Sequence, residues 1–438
     1  MTELNSRPPL LPRDEPVGQL PPQPWMTAPE TRAVIAALTA DGAEVRFAGG
    51  CVRDSVLGRP INDIDIATLD PPATVMALLE RAGIRAIPTG LAHGTVTAVI
   101  DHAHYEITTL RRDVESFGRH ARVEFTDDWA ADAARRDLTI NALFARPDGM
   151  IFDPFDGLAD LGARRVRFVG NARQRIEEDL LRLLRFFRFN AYYGKPPADL
   201  DALLACRALA PRLSELSGER IHGELVKLLL APDPAATLLL MRGEQVLPHL
   251  LPEAREFGRL RLLVFLETRA LARPHIAPDA LRRLAAVLST DRAGAQALAE
   301  RLRLSAADGR RLIALAAPAQ RPAPDMDDAA ARRLLHRIGA GLFRDLVLIS
   351  WAERKALQAR TAAAETGRWQ HLLDLADLWK PLSLPVRGED ALALGLARGP
   401  AVGQALAEVE RWWEAGDYQA GREACLRRLA ALCAKETP

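Results

Sequence analysis

Phe47-Ala48-Gly49-Gly50-Cys51-Val52-Arg53-Asp54, followed shortly by Ile61-Asn62-Asp63-Ile64-Asp65-Ile66-Ala67-Thr68, is the stretch on which the fold turns. Apolar and polar residues alternate strictly in its second half, which is the period of a strand, so Ile61 to Ala67 is expected to be extended. Successive strand side chains point to opposite faces. Ile64 and Ile66 then enter a core while Asp63 and Asp65 share the other face. Two like charges held side by side are costly without a cation, and Mg²⁺ takes hard oxygen ligands of this kind. An isolated pair with this spacing also occurs on solvated strand faces and in ordinary turns. The Gly49-Gly50 turn adds weight, because it opens a helix N-terminus whose backbone N–H groups can hold phosphate oxygens, with Arg53 as a planar cation beside them. No Walker lysine and no GxGxxG accompany it, so the phosphate-binding scheme is a different one.

Outward from this stretch, a helix is expected from about Ala28 to Ala40 and a short strand from Glu44 to Ala48. Thr74 to Ala82 follows as a helix, and Gly94 to Ile100 with Ala103 to Leu110 as a β-hairpin. The β signals fade after residue 160. From Ala172 onward helix follows helix, so the fold class is α+β: a small mixed sheet in an N-terminal α/β head, then an all-helical remainder. Breaks are expected at Ala231 to Pro234 and at Ala317 to Pro324, where Pro and Ala cluster. Seven prolines between Pro8 and Pro24 mark residues 1–26 as a flexible tail.

The chain has 438 residues and a formal net charge of +1, so several domains are expected and charge alone points to no partner. Its positive charge is nearly all Arg, with Lys only at Lys195, Lys227, Lys355, Lys380 and Lys435. Arg suits bidentate phosphate contacts, although a GC-rich coding sequence gives the same bias. Cys51, Cys206, Cys425 and Cys433 form no metal spacing and are expected to be reduced and buried. There is no signal-peptide pattern and no apolar run long enough to span a bilayer, so a cytoplasmic protein is expected.

Further motifs stand downstream. They are Arg135-Arg136-Asp137-Leu138-Thr139-Ile140-Asn141-Ala142-Leu143, Asp153-Pro154-Phe155-Asp156-Gly157, Glu178-Asp179-Leu180-Leu181-Arg182, and the segment Ser217 to Leu225. Asp179 and Arg182 are three apart, which on a helix puts them on one face, where a plain salt bridge is the ordinary outcome. Taken with Phe47 to Thr68, the order and spacing of these motifs resemble the class II tRNA nucleotidyltransferases and bacterial poly(A) polymerases over about residues 28 to 230. Beyond that the likeness is thin, resting on Leu394-Gly395-Leu396 and Gly399-Pro400 with Gly403.

The resemblance implies a nucleotidyltransferase head (27–160), a neck that selects the nucleotide (161–230), a helical body (231–320) and a tRNA-binding tail (321–438). It implies catalysis by Asp63, Asp65 and Glu106, the two aspartates holding a pair of Mg²⁺ ions. Gly49, Gly50, Arg53, Arg136, Asp137, Asn141, Glu178, Asp179, Arg182 and Arg185 would bind the nucleotide, Asp179 and Arg182 by pairing with its base edge. Ser217 to Leu225 is similar to the helix that supports this selecting motif. Arg111 to Val123, with Arg111, Arg112 and Asp113, lies where CCA-adding members carry a flexible loop that lets the site switch from C to A. The implied reaction is template-independent addition of CCA from CTP and ATP to the 3′ end of tRNA. Poly(A) polymerase, A-only or CC-only activity are the alternatives, as is a non-catalytic RNA-binding protein on the same scaffold. His93 stands in a recurring turn, where a lone histidine is more often structural, and of Trp412 and Trp413, suited to stacking on bases, one is expected in the core at helical spacing.

Overall fold

A computed structural model describes residues 14–117, 120–358 and 362–436. The chain packs as two compact units, one ending at Pro252 and one beginning at Glu253. The boundaries expected at 160 and 230 fall inside the first unit, and that at 320 inside the second.

The first unit is built on strands β1 (Pro16–Gln19), β2 (Val45–Ala48), β3 (Ile64–Thr68), β4 (Arg85–Gly90), β5 (Thr95–Ile100) and β6 (Ala103–Thr109). A separate hairpin, β7 (Arg111–Phe117) and β8 (His120–Phe125), is followed by β9 (Phe144–Ala145) and β10 (Met150–Phe152). Eight strands form one mixed sheet in the order β1-β10-β9-β2-β3-β6-β5-β4. It is wider than the small sheet expected. Among the described residues only β3 and β6 pair in parallel, and their register sets Asp65 opposite Glu106.

Helices α1 (Pro24–Thr27), α2 (Pro29–Leu38), α3 (Gly50–Val56), α4 (Pro72–Arg81) and α5 (Trp129–Ala134) surround the sheet. Val34, Leu38, Val75 and Leu79 meet Ile66, Val96 and Ile107 in one core, while Ala67, Trp129, Phe144 and Phe152 form the other. Each face of the sheet is thus covered, and the alternation of Ile64, Ile66 against Asp65, Ala67 is what sorts β3 between the two layers.

Three expectations need correction. The strand begins at Ile64, so Ile61, Asn62 and Asp63 belong to the irregular segment leading into it. The tail expected over residues 1–26 is ordered from Asp14; residues 1–13 lie outside the described residues. β1 extends the sheet edge beside β10, Asp14 pairs with the buried Arg46, Leu20 is buried, and Trp25 packs edge-on against Phe47. Proline belongs at a sheet edge, where no ladder N–H is needed, and at helix starts, so Pro16, Pro24 and Pro29 are compatible with this order. The Arg111 to Val123 loop is a two-stranded hairpin in its described part.

The rest of the first unit is helical: α6 (Gly157–Gly162), α7 (Ala172–Glu178), α8 (Leu181–Tyr193), α9 (Leu200–Leu209), α10 (Gly218–Leu229), α11 (Pro234–Gly243) and α12 (Leu247–Leu250). Asp153 accepts from the backbone N–H of Gly157 and Leu158 at 2.7 and 2.8 Å, fixing the start of α6. A Cβ on Gly157 would lie 2.3 Å from the carbonyl oxygen of Thr139. The closing turn of the sheet and α6 therefore touch backbone to backbone.

The second unit is all helical among its described residues, from α13 (Phe257–Phe265) through α14 (Ala280–Val287), α15 (Arg292–Arg301), α16 (Ala306–Ala316), α17 (Asp328–Ile338), α18 (Ala340–Leu357), α19 (Ala363–Leu378), α20 (Gly388–Ala393), α21 (Pro400–Ala415) and α22 (Arg422–Glu436). Buried Arg282 and Arg283 both donate to buried Glu267, and Arg282 also to Asp345. Such charges are tolerated inside only because each is paired. Trp413 lies in the core of α20 to α22 while Trp412 is partly exposed, so only Trp412 keeps the stacking option. All four cysteines are buried and outside any disulfide, as expected.

Candidate active site

Ile64 and Ile66 anchor β3 in the core, and their register turns Asp65 to the opposite face, with exposed Asp63 two residues upstream. Burial pushes the Asp65 carboxyl up to about 6, and the charges of Glu106 on β6 and of Asp63 add to the rise, against a lowering by Arg136. Three carboxylates are thus gathered at one end of the parallel pair. Among the described residues no three His, Cys, Asp or Glu side chains form a ready-made ion cage. This donor set suits Mg²⁺, which commonly takes one or two carboxylates and completes its shell with water and substrate phosphates.

Gly49 closes β2 with a positive φ of 66° and donates its N–H to Leu143 at 2.8 Å; a Cβ there would meet Arg136 at 3.0 Å. The turn therefore needs glycine, and it starts α3 beside β3. Arg53, buried one turn into α3, pairs with Asp54 at 2.6 Å and donates to the Asn141 side chain, with Tyr193 against its guanidinium at 4.3 Å. Arg136 pairs with buried Asp132 at 3.1 Å and donates to the Asn141 carbonyl at 3.3 Å.

Burial would raise the Asp137 pKa, but Arg185 at 2.6 Å and hydrogen bonds from Asn141 and the Leu138 N–H outweigh it, holding the carboxyl below its usual range. Arg185 is thereby a brace between α8 and the Arg135 to Leu143 motif. Arg188 likewise pairs with buried Glu224 of α10 at 2.6 Å, so neither is a solvated helix edge.

The selecting motif departs from its expected geometry. α7 ends at Glu178, and Asp179 is extended, with φ −148° and ψ 106°, before α8 begins at Leu181. Asp179 and Arg182 do not share a helical face and do not pair. Arg182 binds Glu178 at 2.7 Å and the carbonyls of Arg175 and Arg135 at 3.1 and 3.0 Å. Asp179 instead receives Arg220 of α10 at 2.9 Å on both of its oxygens. The resemblance named the segment Ser217 to Leu225 as the support of this motif, but spacing did not single out Arg220, because only the folded chain brings α10 across the helix break.

A cavity of about 600 Å³ joins these parts. Gly49, Gly50, Arg53, Asp63, Asp65, Arg136, Asp137 and Asn141 line it from the sheet side; Asp179, Arg182, Arg185 and Phe189 line it from the helical side. Arg135 and Leu181 complete the wall; they and Phe189 were not among the expected site residues. Glu106 stands beside Asp65 without lining the cavity, and Glu178 stands behind Arg182. Arg111, Arg112 and His93 are likewise outside the lining; Arg112 pairs with Glu124 at 2.8 Å. The Asp113 side chain lies outside the described residues.

Residues 45–167 match the poly(A) polymerase head domain, and residues 199–257 match a probable RNA- and SrmB-binding site of polymerase A. A mitochondrial CCA tRNA nucleotidyltransferase 1 from Danio rerio is 33% identical over 395 residues, covering 88% of this chain and 87% of that protein. The Mus musculus protein of the same name is 47% identical over 210 residues, 47% of this chain and 48% of that protein. Among solved structures, the Bacillus stearothermophilus CCA-adding enzyme in complex with CTP is similar with a TM-score of 0.74 and 28% identity, over 93% of this chain and 99% of that one.

Proposed function

The chain belongs to the class II tRNA nucleotidyltransferase and poly(A) polymerase family, and from that membership we propose that it adds C, C and A from CTP and ATP to the 3′ end of tRNA through the cavity lined by Asp63, Asp65, Asp179 and Arg182. The observation that carries the reading is that one cavity holds crowded carboxylates on one wall and, on the other, Asp179 at a helix break with Arg182 on α8, an acceptor and a donor suited to a base edge. Chemistry and choice of nucleotide have separate walls.

Asp63 and Asp65 would hold Mg²⁺, which when bound activates the attacking 3′-hydroxyl and neutralises the triphosphate. Glu106 keeps the local field negative, favouring a cation there. Arg53 and Arg136, each fixed by a carboxylate and by Asn141, offer preorganised donors to phosphate oxygens, and the Gly49-Gly50 turn leaves backbone room for them. Asp137 is spent on Arg185 and Asn141, so its part is to set the Arg185 guanidinium on the cavity wall. Asp179, an acceptor, matches the exocyclic amines of C and A, and Arg182, a donor, matches their ring acceptors. A carboxylate rejects U and G because their carbonyls would face it unpaired.

The β7–β8 hairpin is the element we assign to the change from C to A. Shortening it should leave a product ending in CC, read on a sequencing gel. The test of the whole reading is incubation with a tRNA lacking its last three nucleotides, given each NTP alone and then together. CTP alone should add two residues and CTP with ATP three; extension by ATP alone into a long tail would overturn it.

A further inference from the structure

We propose that Arg220 is a specificity-determining positioning residue, which fixes the Asp179 carboxylate so that its remaining lone pairs stay free for the amine of the incoming base. The inference rests on the reading of Asp179 as a base-reading acceptor.

Asp179 sits in the break between α7 and α8, outside any helix, where the start of α8 restrains its side chain through a single backbone N–H. Its oxygens have two partners. One Arg220 nitrogen lies 2.9 Å from each oxygen, and the Leu181 N–H lies 3.2 Å from one of them. A carboxylate offers about four acceptor sites, so these contacts still leave room for a base amine.

The alternative partners are close. Arg182 and Arg185 line the same cavity, and the charge of Asp179 is felt at Arg185. Without Arg220, the carboxylate keeps only the backbone contact at 3.2 Å and is free to turn onto one of these guanidiniums. That collapse consumes the acceptor that distinguishes C and A from U and G. Arg220 prevents it from outside the cavity, since it is not among the lining residues. Arg182 has a parallel restraint, because Glu178 and the Arg175 and Arg135 carbonyls hold it. Each reading group is therefore set by its own partner rather than by the other.

A brace alone would also bring α10 and α8 together, and Arg188 with Glu224 supplies a control of that kind on the same two helices. Single-turnover addition to a tRNA lacking CCA, with CTP and UTP measured separately on the full chain, separates the two roles. Arg220→Ala should lower kcat/KM for CTP by 10- to 100-fold and leave UTP nearly unchanged, collapsing the CTP/UTP ratio. Arg220→Lys, which keeps a charged donor, should restore part of that ratio. Arg188→Gln should lower Tm and keep the ratio. Adding Arg220→Ala to Asp179→Ala should change the ratio no further, because the two act as a unit. If Arg220→Ala lowers Tm but keeps the ratio, or Arg220→Ala and Arg188→Gln affect the ratio equally, the proposal fails while the reading of Asp179 stands. If Asp179→Ala itself keeps the ratio, that underlying reading fails instead.

Discussion

At the scale of the residue, Asp65 carries the largest electrostatic conflict of the site. Burial and the charges of Glu106 and Asp63 raise its carboxyl from an ordinary value near 3.8 to about 6. An acid raised in this way contributes stability below its unfolded pKa and loses it as the pH rises through about 6. In metal-free buffer, Asp65→Asn should therefore stabilise the fold at pH 8 by up to about 3 kcal/mol and have little effect below pH 4. Urea unfolding at the two pH values checks this, and equal stability changes at both would refute the conflict. Adding Mg²⁺ should raise the Tm of the wild type and not that of Asp65→Asn. Asp63→Ala and Asp65→Ala should each nearly abolish nucleotide addition, and the double variant should be little worse, since groups acting as a unit are not additive. Substantial activity in either single variant at ordinary Mg²⁺ would rule out a shared ion site.

At the scale of the element, α6 and the Thr139–Asn141 turn meet backbone to backbone beside the sheet. Gly157→Ala places a methyl group 2.3 Å from the Thr139 carbonyl oxygen, too close for either backbone to keep its position. A loss of roughly 1–3 kcal/mol is expected from overpacking of this kind, and thermal melting measures it. An unchanged Tm would mean that the junction yields easily. The same scale separates what sequence pattern could carry from what it could not. Period-two alternation gave β3 its inward and outward faces, because Ile66 is buried in the core and Ile64 packs against it. The Gly pair announced the turn, because only glycine takes the positive φ at position 49 without cost. Register was different: Asp65 opposite Glu106 depends on a parallel pairing between strands 41 residues apart, which no local period encodes. The resemblance supplied Glu106. The spacing of Asp179 and Arg182 misled, since three residues imply one face only if the helix continues, and it breaks at Asp179. For Arg220 the resemblance marked only its segment, Ser217 to Leu225, as supporting the selecting motif, and no local period picked out the residue. The Pro-rich start misled by composition, because its prolines occupy an edge strand and helix starts that accept them.

At the scale of the whole molecule, a net charge of +1 over 438 residues is nearly neutral, and many of the arginines are spent on internal pairs. tRNA binding must then draw on local basic surface and on shape, and it should weaken steeply with salt. Filter binding between low and high salt should give a strongly negative slope of log affinity against log salt; a flat slope would exclude phosphate contacts as the main grip. No helix among the described residues is long and apolar enough to cross a membrane. One consequence follows from the break at Asp179. The acids proposed to hold the metal, Asp63 and Asp65, and their neighbour Glu106 lie between residues 63 and 106, while the groups proposed to read a base, with the arginine that positions one of them, lie between 179 and 220. Reading and writing are thus encoded in separate stretches of the chain, joined only by folding. A ribosome that has released the sheet but not yet α10 has made a pen without an alphabet, and selection acting on the later stretch can rewrite the message while leaving the pen untouched.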